Sequence, residues 1–287
     1  MIDPVLRWLL LGIFCTVLVS MQACAPTALE MAGELSLAER LSVQGLLYIR
    51  QGKYSQAEPL LKRALAIYEK VLGPEHRDVA RALDNLGALY AQSNYSPAEP
   101  LFNQALAIYE KVLEPDHLAV ARTLNDLGAL YSSQGKYSQA EPLLKRALAI
   151  YEKAFGREHL RVASVLQYLG LLYTEQGKYA EAKPPLKRAL TIYEKVLGHE
   201  HRDVARTLND LGALYGSQGK YSQAEPFLKR ALAIYEKVLG HEHPSVVSVL
   251  QYLGLLYTEQ GKYAEAKPLL ARAREIREKY VRQNPGN

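Results

Sequence analysis

Two tyrosine series run through the chain at a fixed interval, Tyr48, Tyr90, Tyr131, Tyr173, Tyr215 and Tyr257, followed by Tyr54, Tyr95, Tyr137, Tyr179, Tyr221 and Tyr263. The step is about 42 residues, a period typical of stacked repeat architectures. It shortens by a single position where Ala91-Gln92-Ser93-Asn94 replaces the longer turn seen elsewhere. A period of this size constrains the fold more than any single motif. One unit cannot bury its own apolar face, so it must stack on copies of itself. Six units follow, at about 36–74, 75–115, 116–157, 158–199, 200–241 and 242–280, between a linker at 26–35 and a tail at 281–287. The stretch from Arg122 to Ala205 is nearly repeated from Arg206 onward, as in RTLNDLGALY and VLQYLGLLYTEQGKYAEAKP, so a two-unit block has been duplicated.

The third unit serves as the type. Leu124, Leu127, Gly128 and Tyr131 fall at i, i+3, i+4 and i+7, which predicts a helix A with one apolar stripe. Gln134-Gly135-Lys136 breaks it, the glycine supplying the positive φ of a tight turn. Helix B is expected to open on Ser138-Gln139-Ala140-Glu141 as a capping box, with the same box at Ser55/Glu58, Ser96/Glu99 and Ser222/Glu225, and with Pro142 in the first turn. Leu143, Ala147 and Ile150 continue the stripe to Phe155-Gly156.

Leu127-Gly128, Tyr131, Gly135, Tyr137, Ala140 and Ala147 stand at the spacings of the tetratricopeptide repeat, and the chain resembles that family over residues 36 to 280. The usual repeat is about 34 residues. The longer form here, with its Leu72-Gly73-Pro74-Glu75-His76 junction and QGKYxxAExLLKRAL core, looks like the kinesin light chain type. The resemblance implies an all-α, right-handed α-solenoid of six tetratricopeptide-type helical hairpins, about twelve helices, closed at its C-terminal end by the charged run Ala271 to Arg277. It also implies a non-enzymatic scaffold for a protein or peptide partner.

Cysteine occurs only at Cys15 and Cys24, so the repeats carry no thiol for catalysis, metal binding or a disulfide framework. Nor does the chain contain a G-x-S-x-G elbow, a phosphate-binding glycine loop or HExxH. No cofactor is expected. The net charge of +5 is interleaved with 30 acids, which argues against nucleic acid. Residues 1–25 form an expected signal segment, with an apolar run from Val5 to Val19 that is short for a membrane span. Met21-Gln22-Ala23-Cys24 resembles a bacterial lipoprotein leader, which implies cleavage before Cys24, lipidation of its thiol and a membrane anchor at the cell envelope. Cleavage after Ala25, giving a periplasmic or secreted product, an uncleaved anchor, and a mis-assigned start whose leader is not a signal, giving a cytoplasmic adaptor, remain alternatives.

Three side-chain groups are candidates for function. Seven histidines lie between repeats, among them His199-Glu200-His201 and His241-Glu242-His243. Their spacing is wrong for two imidazoles on one helical face, so they are read as polar residues opening the next helix, with no metal. The pairs Lys62-Arg63, Lys145-Arg146, Lys187-Arg188 and Lys229-Arg230 form a basic ladder on helix B, read as a solvated face.

The third group occupies the face of helix A opposite its packing stripe: Arg122, Asn125, Asp126, Ala129 and Ser133 in unit three, Arg206, Asn209, Asp210 and Ala213 in unit five, and Arg81, Asp84, Asn85 and Ala88 in unit two. Units four and six carry Ser164, Gln167, Tyr168, Leu171 and Ser248, Gln251, Tyr252, Leu255, so charged and tyrosine rungs alternate. In the arrays this chain resembles, the face lines a concave groove where asparagines hold a peptide backbone. That implies the same role for Asn125 and Asn209, with Asp126 and Asp210 in place of a second asparagine. Amides donate and accept, as an extended peptide requires.

Overall fold

The computed structural model describes residues 27–92 and 97–283. The leader, with Cys24, and Ser96 lie outside the described residues. Among those described, no strand is present, and no helix is long and apolar enough to cross a membrane.

Twelve helices follow in order, α1 (Ala28–Arg50), α2 (Tyr54–Leu72), α3 (Arg77–Gln92), α4 (Ala98–Val112), α5 (Leu118–Ser133), α6 (Tyr137–Phe155), α7 (Leu160–Glu175), α8 (Tyr179–Leu197), α9 (Arg202–Ser217), α10 (Tyr221–Leu239), α11 (Pro244–Glu259) and α12 (Tyr263–Gln283). Six helix-turn-helix repeats account for them, and the all-α class expected from the period is the one observed.

The chain divides into two units, the first ending at Leu89 and the second beginning at Tyr90. In the first, α1 packs along α2, and Thr27 and Glu30 form a reciprocal capping box at the start of α1. In the second, α5 packs on α6, α7 on α8, α9 on α10 and α11 on α12. The A helices α5, α7, α9 and α11 also touch in succession, the layering of a solenoid.

Close approach within the hairpins that carry Gly45, Gly128, Gly170, Gly212 and Gly254 depends on that one residue. A Cβ at Gly128 would lie 2.7 Å from Leu144 Cγ, and one at Gly212 would lie 2.5 Å from Leu228 Cγ. The core is correspondingly repetitive. Ala140, Leu144 and Ala147 are fully buried, as are Ala182, Leu186 and Ala189 in the next hairpin. Leu144 rather than Leu143 is the core leucine of helix B, one position from the sequence expectation, because Leu144 is the residue seated over Gly128.

The B-helix capping boxes are a second correction. Helix α6 starts at Tyr137 with Lys136 as its N-cap and no side-chain cap, and α2 and α10 start likewise at Tyr54 and Tyr221. The turn itself is the reason. Gly135, at φ 73°, lets Lys136 N–H return to the Tyr131 carbonyl at 2.9 Å, so the chain has already reversed when Tyr137 begins the helix. Ser138 is therefore inside the helix. Pro142 lies beyond the first turn, where its missing N–H leaves the Ser138 carbonyl without its helical donor.

Candidate functional site

The histidines fall into two roles, both set by the loop that enters each A helix. His117, His159, His201 and His243 are N-caps whose Nδ1 accepts the N–H two residues on, at 3.1 Å, 3.1 Å, 3.2 Å and 3.1 Å. His76 Nδ1 accepts from Asp78 N–H at 3.1 Å in the same way. The N-terminal opening role read from the sequence is thus observed for these five. Burial holds His243 below the usual imidazole range, with Arg202 adding to the effect. His199 and His241 lie outside the helices, with Nδ1 3.4 Å from Glu194 and Glu236. The two imidazoles of each His-Glu-His therefore do different work, and among the described residues no group of three or more metal-ligating side chains comes together.

The basic ladder is more than a solvated face. Its lysines pair one turn back, Lys145 with Glu141 and Lys229 with Glu225, each at 2.7 Å. Its arginines reach the preceding hairpin: Arg146 bonds Glu110, Arg188 bonds Glu152 and Arg230 bonds Glu194, and Arg272, at the same position of α12 though outside the ladder, bonds Glu236, the last three at 2.6 Å. A second row joins the acid of each loop to a lysine of the following helix B: Lys153 to Asp116, and Lys195 to Glu158, Lys237 to Glu200 and Lys279 to Glu242 at 2.5 Å. One unit read alone cannot reveal the arginine contacts, because each partner belongs to a neighbour.

On the helix-A face the candidate residues separate along the helix. Near its N-terminal half they are turned on one another. In the first unit, Arg81 pairs with Glu39 at 2.7 Å and lies 3.3 Å from both Asp78 and the Tyr68 hydroxyl, while Asp84 and Asn85 are buried.

In the second unit, Arg122, Asn125 and Asp126 are half-buried, and Asn125 Nδ2 donates to Asp126 Oδ1 at 3.1 Å. The Oδ1 atoms of Asn125 and Asn209 are buried with no hydrogen-bond partner among the described residues. Gln167, buried in α7, donates to Asp210 Oδ2 in α9 at 2.5 Å and accepts from Arg206 at 2.8 Å. Burial pushes the Asp210 carboxyl up to about 6, against the lowering effects of the Gln167 bond and the Arg206 charge. Burial also pushes the Tyr235 hydroxyl up to about 12, with the Asp210 charge adding to it.

Toward the C-terminal half the face opens. Tyr168 and Gln251 are half-buried, and Tyr252 is 42% exposed. Two cavities of about 330 Å³ lie here. One is lined by Ala129, Ser133, Tyr137, Tyr168, Leu171 and Glu175, the other by Ala213, Ser217, Tyr221, Tyr252, Leu255 and Glu259. Burial raises the Tyr252 hydroxyl, with the Glu175 charge contributing. Glu175 and Glu259 escaped the sequence reading, although a signal existed: they occupy the eleventh step of the face, where units three and five carry Ser133 and Ser217.

The tetratricopeptide repeat family model matches residues 36–111, 94–153, 134–195, 161–237 and 203–279. No curated protein matches the chain. Among solved structures, a Podosopora anserina putative kinesin light chain with nearly identical TPR-like repeats is 29% identical, over 72% of this chain and 99% of that one, with a TM-score of 0.58. BtubC (BKLC) from P. vanneervenii is 22% identical, over 89% and 93%, with a TM-score of 0.60. A Rap protein complexed with Competence and Sporulation Factor is 18% identical, over 94% and 81%, also with a TM-score of 0.60. The last two share the fold alone.

Proposed function

The chain belongs to the tetratricopeptide repeat family, and from that premise we propose that it is a non-enzymatic scaffold whose helix-A face holds an extended segment of a partner protein. The observation that carries this reading is the contrast between satisfied and open surface. Between hairpins, arginines and lysines are matched to acids repeat after repeat, whereas the face of α5, α7, α9 and α11 keeps two cavities and leaves Tyr252 and Leu255 exposed, at 42% and 55%. Exposed large apolar residues grouped on one face mark an interaction surface.

Within that face, Tyr168, Tyr252, Leu171 and Leu255 touch the partner. Gln167, Arg206 and Asp210 hold α7 and α9 in register beneath it. Arg122, Asn125, Asp126, Asn209 and Gln251 form the polar edge, and in the first unit Arg81, Asp84 and Asn85 stand at the corresponding positions of α3. A cross-linking pull-down from cells compares wild type with a Leu171→Arg/Leu255→Arg variant. Loss of the principal cross-linked species is expected, and an unchanged set of species overturns the reading.

We further propose that residues 1–25 deliver the repeats to the bacterial cell envelope and that Cys24 carries the anchor. The support is the apolar run followed by Ala23-Cys24. Cys24→Ala is expected to release the exported protein from the membrane fraction; retention there sinks the anchor. A second reading, an intracellular adaptor of the kinesin light chain type, draws on the 29% identity with the Podosopora protein. A reporter fused after Pro26 that remains cytoplasmic would select it.

A further inference from the structure

The two cavities are copies of one another. Each residue that lines the first has its counterpart two units on in the second: Ala129 and Ala213, Ser133 and Ser217, Tyr137 and Tyr221, Tyr168 and Tyr252, Leu171 and Leu255, Glu175 and Glu259. Each is formed where the A helix of an odd unit meets that of the next even one, so its period is two hairpins. Stacking does not require this, since the packing glycine, the core leucine and the seam ion pairs recur from one unit to the next. The chemistry is closely similar in both: leucine and alanine, two tyrosines and one exposed carboxylate line each, with Ser132 in the first where Gly216 stands in the second, and Gly212 and Leu228 lining the second alone. Glu175 and Glu259 are the only charged side chains lining them, and neither has an ion-pair or hydrogen-bond partner among the described residues.

We infer that the two cavities are equivalent subsites for one bivalent ligand, an extended peptide segment that presents two apolar side chains, each followed closely by a lysine or arginine. This rests on the groove reading above and specifies its ligand. The cavity accepts the apolar side chain, and the unpaired glutamate faces the cation beside it. The spacing follows from the fold. Helices in contact lie about 8–10 Å apart, and α5, α7, α9 and α11 touch in succession, so two steps separate the cavities by on the order of 16–20 Å. A strand advances about 3.3 Å per residue, which places the two anchors about five or six residues apart. Two equal subsites on one face convert the second contact into an intramolecular one, so affinity rises without any new kind of contact.

The test is a selection from a library of random peptides displayed on phage, using the full chain and two variants, Leu255→Arg, at an exposed position that fills the second cavity, and Glu259→Lys. Unchanged helicity and melting temperature show that the variants fold. Wild type is expected to enrich sequences with two apolar-then-basic pairs five or six residues apart. The synthetic two-pair peptide should bind about tenfold or more tightly than either half, Leu255→Arg should remove that gain, and Glu259→Lys should exchange one basic position for an acidic one. Enriched peptides with a single anchor, or a preference that neither variant alters, overturn the two-subsite proposal while leaving the groove reading intact. Failure to enrich any peptide, together with a pull-down unchanged by Leu171→Arg/Leu255→Arg, overturns both.

Discussion

The seam between helix B and the preceding hairpin and the face of the A helices are built on different periods. Along the seam, Arg188, Arg230 and Arg272 repeat one contact with Glu152, Glu194 and Glu236 from unit to unit, and Lys195, Lys237 and Lys279 repeat another with the loop acids. Along the face, residues alternate: Asp126, Tyr168, Asp210 and Tyr252 occupy one position in successive units. Stacking demands the same interface at each step, so whatever recurs in every unit belongs to stability. A pattern that takes two units to recur is not demanded by that interface, and duplication of a two-unit block carries it along the face.

That division is broken most directly at the packing glycines. Gly128→Val and Gly212→Val each force a side chain into the core leucine opposite, and each is expected to lower stability by about 3 kcal/mol, measured by urea unfolding. Gly170→Val, in an even unit, should lose as much. Equal losses in odd and even units support a stacking role; a loss confined to one kind of unit would place these glycines with the alternating set.

Asp210 sharpens the comparison from the other side. Its carboxyl is raised from 3.8 to about 6, so between those values the folded chain holds a proton that the unfolded chain has released. Stability therefore falls as pH rises from about 4 to 6 and is lower by up to about 3 kcal/mol above that range. Removing the charge with Asp210→Asn should raise stability at pH 7.5 by about 1–2 kcal/mol, the remainder being offset by loss of the negative partner of Arg206. It should also flatten the slope between pH 4 and 6 in thermal melts. His243 acts in the opposite direction: with its folded pKa lowered, it removes stability as pH falls below the ordinary imidazole value. A double variant at both positions separates the two.

Smaller effects test the loop and the seam. His201→Ala removes an N-cap and should cost about 1 kcal/mol, whereas His199→Ala, two residues away and outside the helix, should stay within about 0.5 kcal/mol. Arg188→Ala breaks a part-exposed ion pair and should cost about 0.5 kcal/mol, diminishing in high salt, without altering peptide selection. A change in selection would move the seam into the binding machinery.

Much of the fold was legible because periodicity reports helix faces directly: Leu124, Leu127, Gly128 and Tyr131 are all buried where the stripe places them. The Ser138/Glu141 pattern misled because a capping box is local in sequence, while the start of α6 is decided by the preceding turn. Glu141 instead serves Lys145 and the hydroxyl of Tyr173 in the next hairpin. At the candidate site, sequence reasoning selected a face but could not rank its rungs. Whether Gln167 points at a ligand or at Asp210 depends on the neighbouring helix, and no single unit contains both. Glu175 and Glu259 were hidden by the choice of unit three as type, since Ser133 occupies their position there.

The seam gives each unit along it the same pair of connectors, an acid offered to the unit that follows and a cation offered to the one before. Removing or inserting a block of two units would leave no connector exposed, because the new neighbours present the same partners as the old. The number of cavities on the face is therefore a quantity that unequal recombination can change in whole steps while the stack remains closed. A lineage carrying this repeat could add or remove cavities without redesigning a single interface.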